Sequence, residues 1–152
     1  MHEQKMNLYL ELCRELTIPV MANEMLMHDM GISAQWLIQG ATDRLRANAR
    51  HGTTQVLKMA HLAELHNTNI EFNGQGGLYG LVHAHVECCI DNTDYYEYSG
   101  SGTGDRNMLQ GQQWGLMNAP LIADGVIRPE DTPGWGAVWD EDKFQSMVVE
   151  IY

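Results

Sequence analysis

Four polar side chains recur at a nearly constant interval: Glu24, Asn48, Asn73 and Glu97 stand 24, 25 and 24 residues apart. Two are carboxylates, able to ligate a cation or accept hydrogen bonds. Two are amides, able to orient hydroxyl groups but not to take up a proton near neutral pH. Just past or beside them lie Arg46 and Arg50, suited to an anionic group, and His28 and His51, suited to proton exchange or polar contact. Together they could bind a small anionic ligand.

Each of the four closes a stretch with strand character, over 18–24, 43–48, 69–73 and 94–98. Helical spacing follows or precedes each: Gln4–Leu16, Ile32–Gln39 ending at Gly40, Thr53–His66 with Val56, Met59, Ala60 and Ala63 on one stripe, and Leu78–Cys89. A strand–loop–helix unit repeated at this interval predicts a parallel α/β barrel or an open parallel sheet, with functional groups where strands end. Strand parity separates the two. Val20, Ala22 and Glu24 share a face, as do Arg44, Arg46 and Asn48, then Glu71 and Asn73, then Tyr95 and Glu97. Leu45, Ala47, Ile70 and Phe72 take the opposite faces. A doubly covered open sheet wants both faces apolar. One greasy face and one polar face fit instead a parallel barrel, α/β in class, to which this chain supplies about four βα units. On the polar face Glu71 is the expected ion-pair partner of Arg44 and Arg46, since a semi-buried guanidinium requires a carboxylate.

Beyond Tyr98 the pattern changes. Ser99–Gly104 alternates serine or threonine with glycine, and Pro120, Pro129 and Pro133 crowd the remainder, with a turn at Asp124-Gly125 and an amphipathic close over Asp140–Val149. Residues 1–98 are therefore expected to form the barrel segment, and 99–152 a loop and irregular tail packed on it.

Composition narrows the function classes. With 19% charged and 44% apolar residues the 152-residue chain is globular, long enough to bury roughly 70% of its unfolded surface. A net charge of −11 with no basic cluster argues against nucleic acid and anionic membranes as partners. No apolar run reaches the ~20 residues of a membrane span, and the opening Met-His-Glu-Gln-Lys-Met-Asn lacks the core of a signal peptide. Three cysteines, Cys13, Cys88 and Cys89, make a poor disulfide framework and point to a reducing cytoplasm.

The segments Leu16-Thr-Ile-Pro-Val-Met-Ala-Asn-Glu24, Gly52-Thr-Thr-Gln-Val-Leu-Lys-Met-Ala-His-Leu-Ala-Glu64 and Asn92-Thr-Asp-Tyr-Tyr-Glu97, then Asp124-Gly-Val-Ile-Arg-Pro129, Pro133-Gly-Trp-Gly136 and Trp139-Asp-Glu-Asp142, occur in an order and spacing that resembles the mandelate racemase/muconate lactonizing branch of the enolase superfamily. The resemblance implies a partial (β/α)8 TIM-type barrel, strands five to eight plus the closing tail. It also implies a divalent cation, usually Mg2+, and removal of a proton next to a substrate carboxylate to form an enediolate. On this resemblance Glu24 falls at the strand-five metal-ligand position and Glu97 at the strand-eight acidic position. Where racemases and many sugar-acid dehydratases carry an Asp–His dyad, this chain has Asn48 and Asn73. That departure leaves the second base in doubt and favours an acid-sugar dehydratase over a racemase or epimerase. The remaining metal ligands are expected upstream of Met1, so one carboxylate alone should not hold Mg2+. A half-barrel also leaves edge strands open, so a second copy or a complementing half is the expected partner; an inactive scaffold is the alternative.

Two further patterns have competing explanations. Gly74-Gln-Gly-Gly-Leu-Tyr-Gly80 sits where a dinucleotide fingerprint would, but as Gly-x-Gly-x-x-x-Gly, so a wide loop at a strand end competes with a nucleotide-binding module. His83, His85, Cys88 and Cys89 suggest zinc, yet His83 and His85 point apart on a helix, and buried helix packing is the simpler account.

Overall fold

A computed structural model of the chain describes residues 5–22, 24–98 and 111–150. The chain forms two compact units, one of Met1–Asn73 with Cys89–Tyr95 and one of Gly74–Cys88 with Tyr96–Tyr152. Residue 98 marks a change of composition; by contacts, the helix after Asn73 groups with the later segment. The segment Ser99–Gly104, expected to be a loop, lies outside the described residues.

The first unit opens with helix α1 (Met6–Glu15), whose Met6, Tyr9 and Leu10 pack on a cluster of Ala22, Leu26, Trp36 and Ala41. The Tyr9 and Trp36 rings meet edge to face at 5.1 Å, a geometry that aligns ring edge with ring face. Helix α2 (Met30–Gln39) starts at Asp29, whose carboxylate accepts from Ile32 N, and stops at Gly40 as anticipated. Strand β1 (Leu45–Ala47), helix α3 (Thr53–Leu65) and strand β2 (Ile70–Phe72) complete a right-sized crossover unit.

Strands β1 and β2 pair in parallel with Leu45 opposite Ile70, Arg46 opposite Glu71 and Ala47 opposite Phe72. This register puts the greasy set on one face, where Leu45, Ala47, Ile70 and Phe72 are at most 2% exposed. Against it packs α3, whose buried residues are the anticipated Val56, Met59, Ala60 and Ala63. The polar set holds the other face: Arg44 Nη1 reaches Glu71 Oε1 at 2.9 Å and Asp94 Oδ2 at 3.0 Å.

Of the four anticipated strands, only the middle two form a ladder among the described residues. The first contributes a single parallel bridge, Met21 with Arg44. Its amides find side chains instead: Val20 N donates to Asp43 Oδ2 and Ala22 N to Thr42 Oγ1, both at 2.8 Å, while Pro19 has no N–H to offer. The segment after β2 is diverted in the same way. Asn92 O accepts from Ile70 N, but Asp94 N donates to the Glu71 carboxylate at 3.3 Å, and no regular strand forms over 94–98. Short polar side chains at both edges thus take over donors that a longer ladder would have used.

The second unit holds helix α4 (Gly77–Glu87), an antiparallel hairpin of β3 (Leu121–Ala123) and β4 (Val126–Arg128), and helix α5 (Glu141–Ser146). The hairpin turns on Asp124 and Gly125, both at positive φ (52° and 74°), as a two-residue loop with matching twist requires. Helix α5 is capped by Asp140, whose carboxylate accepts from Lys143 N, with Glu141 and Asp142 favourably placed in its first turn. Among the described residues, no helix is long and apolar enough to cross a membrane.

Candidate functional site

The parallel register carries Asn48 and Asn73 to the same end of adjacent strands, because Asn73 N donates to Ala47 O at 2.9 Å just beyond the last ladder pair. A short 3-10 helix follows each of the first two anticipated strands: Glu24–His28, opened by Glu24, and Ala49–His51, capped by Asn48. The result is one continuous row of hydrogen bonds. Arg50 N donates to Asn48 Oδ1 (2.9 Å), Asn48 Nδ2 to Asn73 Oδ1 (3.1 Å), and Asn73 Nδ2 to Glu24 Oε1 (3.0 Å).

The direction of this row is forced. A backbone N–H at one end can only donate and a carboxylate at the other can only accept, so each amide has one allowed orientation. Asn48 is fully buried and Asn73 is 6% exposed, whereas Glu24 opens to solvent. Neither buried amide could be lost without leaving a partner unsatisfied.

Three of the four periodic residues therefore meet. Glu97, also exposed, belongs to the second unit. Arg46 faces Glu71 across the register and is half-buried, while Arg50 is exposed. His28 and His51 touch each other, Nδ1 of the first lying 2.9 Å from Nε2 of the second. Burial pushes the His51 imidazole below its ordinary pKa, and the neighbouring His28 and Arg50 charges push the same way. Each histidine was legible from its place past a strand end; their contact was not, although both close 3-10 turns that begin at or beside a periodic residue.

Among the described residues, no group of three or more His, Cys, Asp or Glu side chains could hold a metal ion. Glu24 is engaged by Asn73 and belongs to no such group among the described residues, so these residues do not by themselves fit a Mg2+ centre. The four residues that suggested zinc separate as well: His83 is buried, His85 stacks edge-on with Trp135 at 5.8 Å, and Cys88 and Cys89 are exposed thiols. Packing explains a key glycine of the Gly74–Gly80 segment. A Cβ on Gly80 would lie 2.9 Å from Gln75 O and 3.0 Å from the Tyr96 hydroxyl, which donates to Gly80 O.

The comparisons agree with this architecture. No curated protein matches the chain. Among solved structures, a mandelate racemase/muconate lactonizing enzyme-type protein from Pseudovibrio sp. superposes with a TM-score of 0.81 at 16% identity, over 97% of this chain and 39% of that one. D-glucarate dehydratase from Agrobacterium tumefaciens, solved as a complex with magnesium, gives 0.80 at 27% identity, over 96% and 38%. A racemase-type protein from Roseobacter denitrificans gives 0.78 at 20%, over 94% and 39%. The chain thus spans about two fifths of the length of these structures. Residues 1–143 match the family described as enolase C-terminal domain-like, and the chain belongs to that family, in the mandelate racemase/muconate lactonizing branch of the enolase superfamily.

Proposed function

We propose that this chain is the C-terminal part of a Mg2+-dependent enolase-superfamily enzyme, specifically an acid-sugar dehydratase that removes the proton alpha to a carboxylate through an enediolate. The observation that carries this is the one-way row Asn48–Asn73–Glu24, in which amides stand at both strand ends beside the Glu24 carboxylate. Amides cannot exchange protons near neutrality, so this half offers no second base there for two-sided exchange; a one-base dehydration does not need one. The likeness to D-glucarate dehydratase supports the same class.

In this proposal Glu24 is one metal ligand of several, the others lying outside this chain, and no step is assigned to the ion. Asn48, with no exposed surface, holds Asn73 in place; Asn73 orients the Glu24 carboxylate and presents its edge to substrate hydroxyls. Glu97 steadies the substrate, and Arg46, Arg50, His28 and His51 supply contacts for its carboxylate. The barrel is completed by a second copy or a complementing half, in the cytoplasm. Pairing is favoured by Leu8, Leu12, Leu16 and Ile18, which stay 44% or more exposed on and beside α1.

The test is a screen of acid sugars with Mg2+, using this chain alone and joined to the remaining strands of the family fold. Dehydration by the joined protein but not by the chain alone is expected. Turnover by the chain alone would overturn its incompleteness, and racemisation in deuterated water without loss of water would transfer the assignment to a racemase or epimerase. Light scattering at micromolar concentration that shows only monomer would remove the pairing.

A further inference from the structure

His28 closes the 3-10 helix that Glu24 opens, and His51 closes the one that Asn48 caps. Their facing nitrogens are 2.9 Å apart and their rings meet edge to face at 5.0 Å, so a single side-chain bond ties together the two segments carrying the polar row. At that separation only one proton fits between the nitrogens: one ring donates, the other accepts. The pair can take up one extra proton and keep its bond. A second would place two N–H groups nose to nose and break it.

Two cations beside the pair resist that second proton: Arg50 adjoins His51, and Lys58 of α3 lines the same cleft as His28. Two carboxylates act the other way: Asp29, which lines that cleft and accepts from Ile32 N, and Glu24, which accepts from Asn73. The burial that lowers His51 sides with the cations.

We propose that His28 and His51 form a proton-controlled clasp that positions the Glu24 and Asn48 segments and releases them when mild acid protonates both rings. Holding the bond favours the neutral or singly protonated pair, so the clasp is intact above the ordinary imidazole range and is lost as pH falls below it. This role rests on the contact between the rings and is independent of which reaction the parent enzyme performs.

The experiment is an NMR titration of the 15N-labelled full chain from pH 8 to 5, following both imidazoles and the side-chain amides of Asn48 and Asn73. Two imidazole steps separated by more than ~1 pH unit are expected, with both amide signals moving in the second, more acidic step. In His28→Asn an amide, which can donate or accept, replaces the His28 nitrogen; the Asn48 and Asn73 signals should then stay at their neutral-pH positions throughout. His28→Ala should show the acid positions at every pH. Two independent imidazoles titrating at the same ordinary value, or Asn48 and Asn73 signals that move with pH in His28→Asn as in the wild type, would overturn the clasp. Should His28→Ala not fold, the wild type and His28→Asn decide it alone. An inactive parent enzyme would leave these results unchanged.

Discussion

In the first unit, the bonds that define the polar surface join residues far apart in the chain: Asn48 to Asn73 across 25 positions, Arg44 to Glu71 across 27 and Asn73 to Glu24 across 49. In the second unit, local turns and caps stand beside long-range bonds. Asp124-Gly125 turns the hairpin and Asp140 caps a helix three residues on, while Asp140 N donates to Gly115 O across 25 positions and Lys143 Nζ to Gln112 O across 31. The apolar surfaces differ more. Strands β1 and β2 bury their greasy face almost completely against α3, whereas Ile122 and Val126 of the hairpin stay 43% and 45% exposed. A long-range polar row needs a rigid, dry platform to hold its geometry; turn and cap chemistry does not. That difference explains why the candidate site is assembled on the parallel strands.

The contrast is sharpest for core truncation. Phe72→Ala should destabilise the chain by about 3–5 kcal/mol in urea unfolding, since its ring is 1% exposed under α3. Ile122→Ala on the half-exposed hairpin should cost about 1 kcal/mol or less. Equal losses would show that the two units are not differently built.

Asn48→Ala removes the acceptor for Arg50 N and the donor to Asn73 in a fully buried position, at an expected cost of about 2–3 kcal/mol by the same measurement. Asn48→Asp keeps the acceptor but sets a carboxylate oxygen against Asn73 Oδ1 in a fully buried position, so above pH 6 it should cost at least as much as Asn48→Ala. If Asn48→Ala is silent, the row does not organise the first unit.

Gly80→Ala probes a close backbone approach in the second unit. Its methyl group would meet Gln75 O at 2.9 Å, and a loss of about 1–2 kcal/mol is expected. Gly125→Ala in the open hairpin turn has room for its Cβ but sits at φ 74°, so about 1 kcal/mol of backbone strain is its only expected cost.

The smallest effect concerns cysteine chemistry. Burial, and then the Asp43 charge, raise the Cys13 thiol above its ordinary pKa. A raised folded value favours the neutral thiol, so that contribution to stability is complete below the ordinary thiol pKa and is lost as pH rises through the folded one. Alkylation by iodoacetamide near pH 8 should therefore be several-fold slower at Cys13 than at the exposed Cys88 and Cys89. Asp43→Asn should narrow the gap without closing it.

Much of the fold was legible because it follows local rules. The stripe Val56, Met59, Ala60 and Ala63 marks α3 and its buried face, Gly40 marks the end of α2, and alternation over 43–48 and 69–73 sorts residues onto the two faces that the register confirms. The hairpin is less legible: Asp124-Gly125 marks a turn, and the structure adds the flanking strands Leu121–Ala123 and Val126–Arg128, although the apolar residues around Asp-Gly carry that signal. The first and fourth segments form less strand than the sequence predicts, for a different reason. Propensity registers the backbone but not the side chains that compete for it, and Asp43, Thr42 and Glu71 take the amide bonds of Val20, Ala22 and Asp94.

For the site, the interval between Glu24, Asn48 and Asn73 was enough to propose a shared strand-end position, because parallel strands linked by helices of similar length must end together. The sequence alone thus determined which residues are polar at strand ends, which faces are apolar, and that amides stand at two of the four positions. Only the tertiary structure decided that the two amides bond to each other and aim one way toward Glu24, that Arg44 is gripped by both Glu71 and Asp94, and that His28 and His51 share a proton position. The physical reason is reach: periodicity governs a few ångströms along one element, whereas hydrogen-bond direction depends on which donor and acceptor the packed backbone brings within 3 Å of one another.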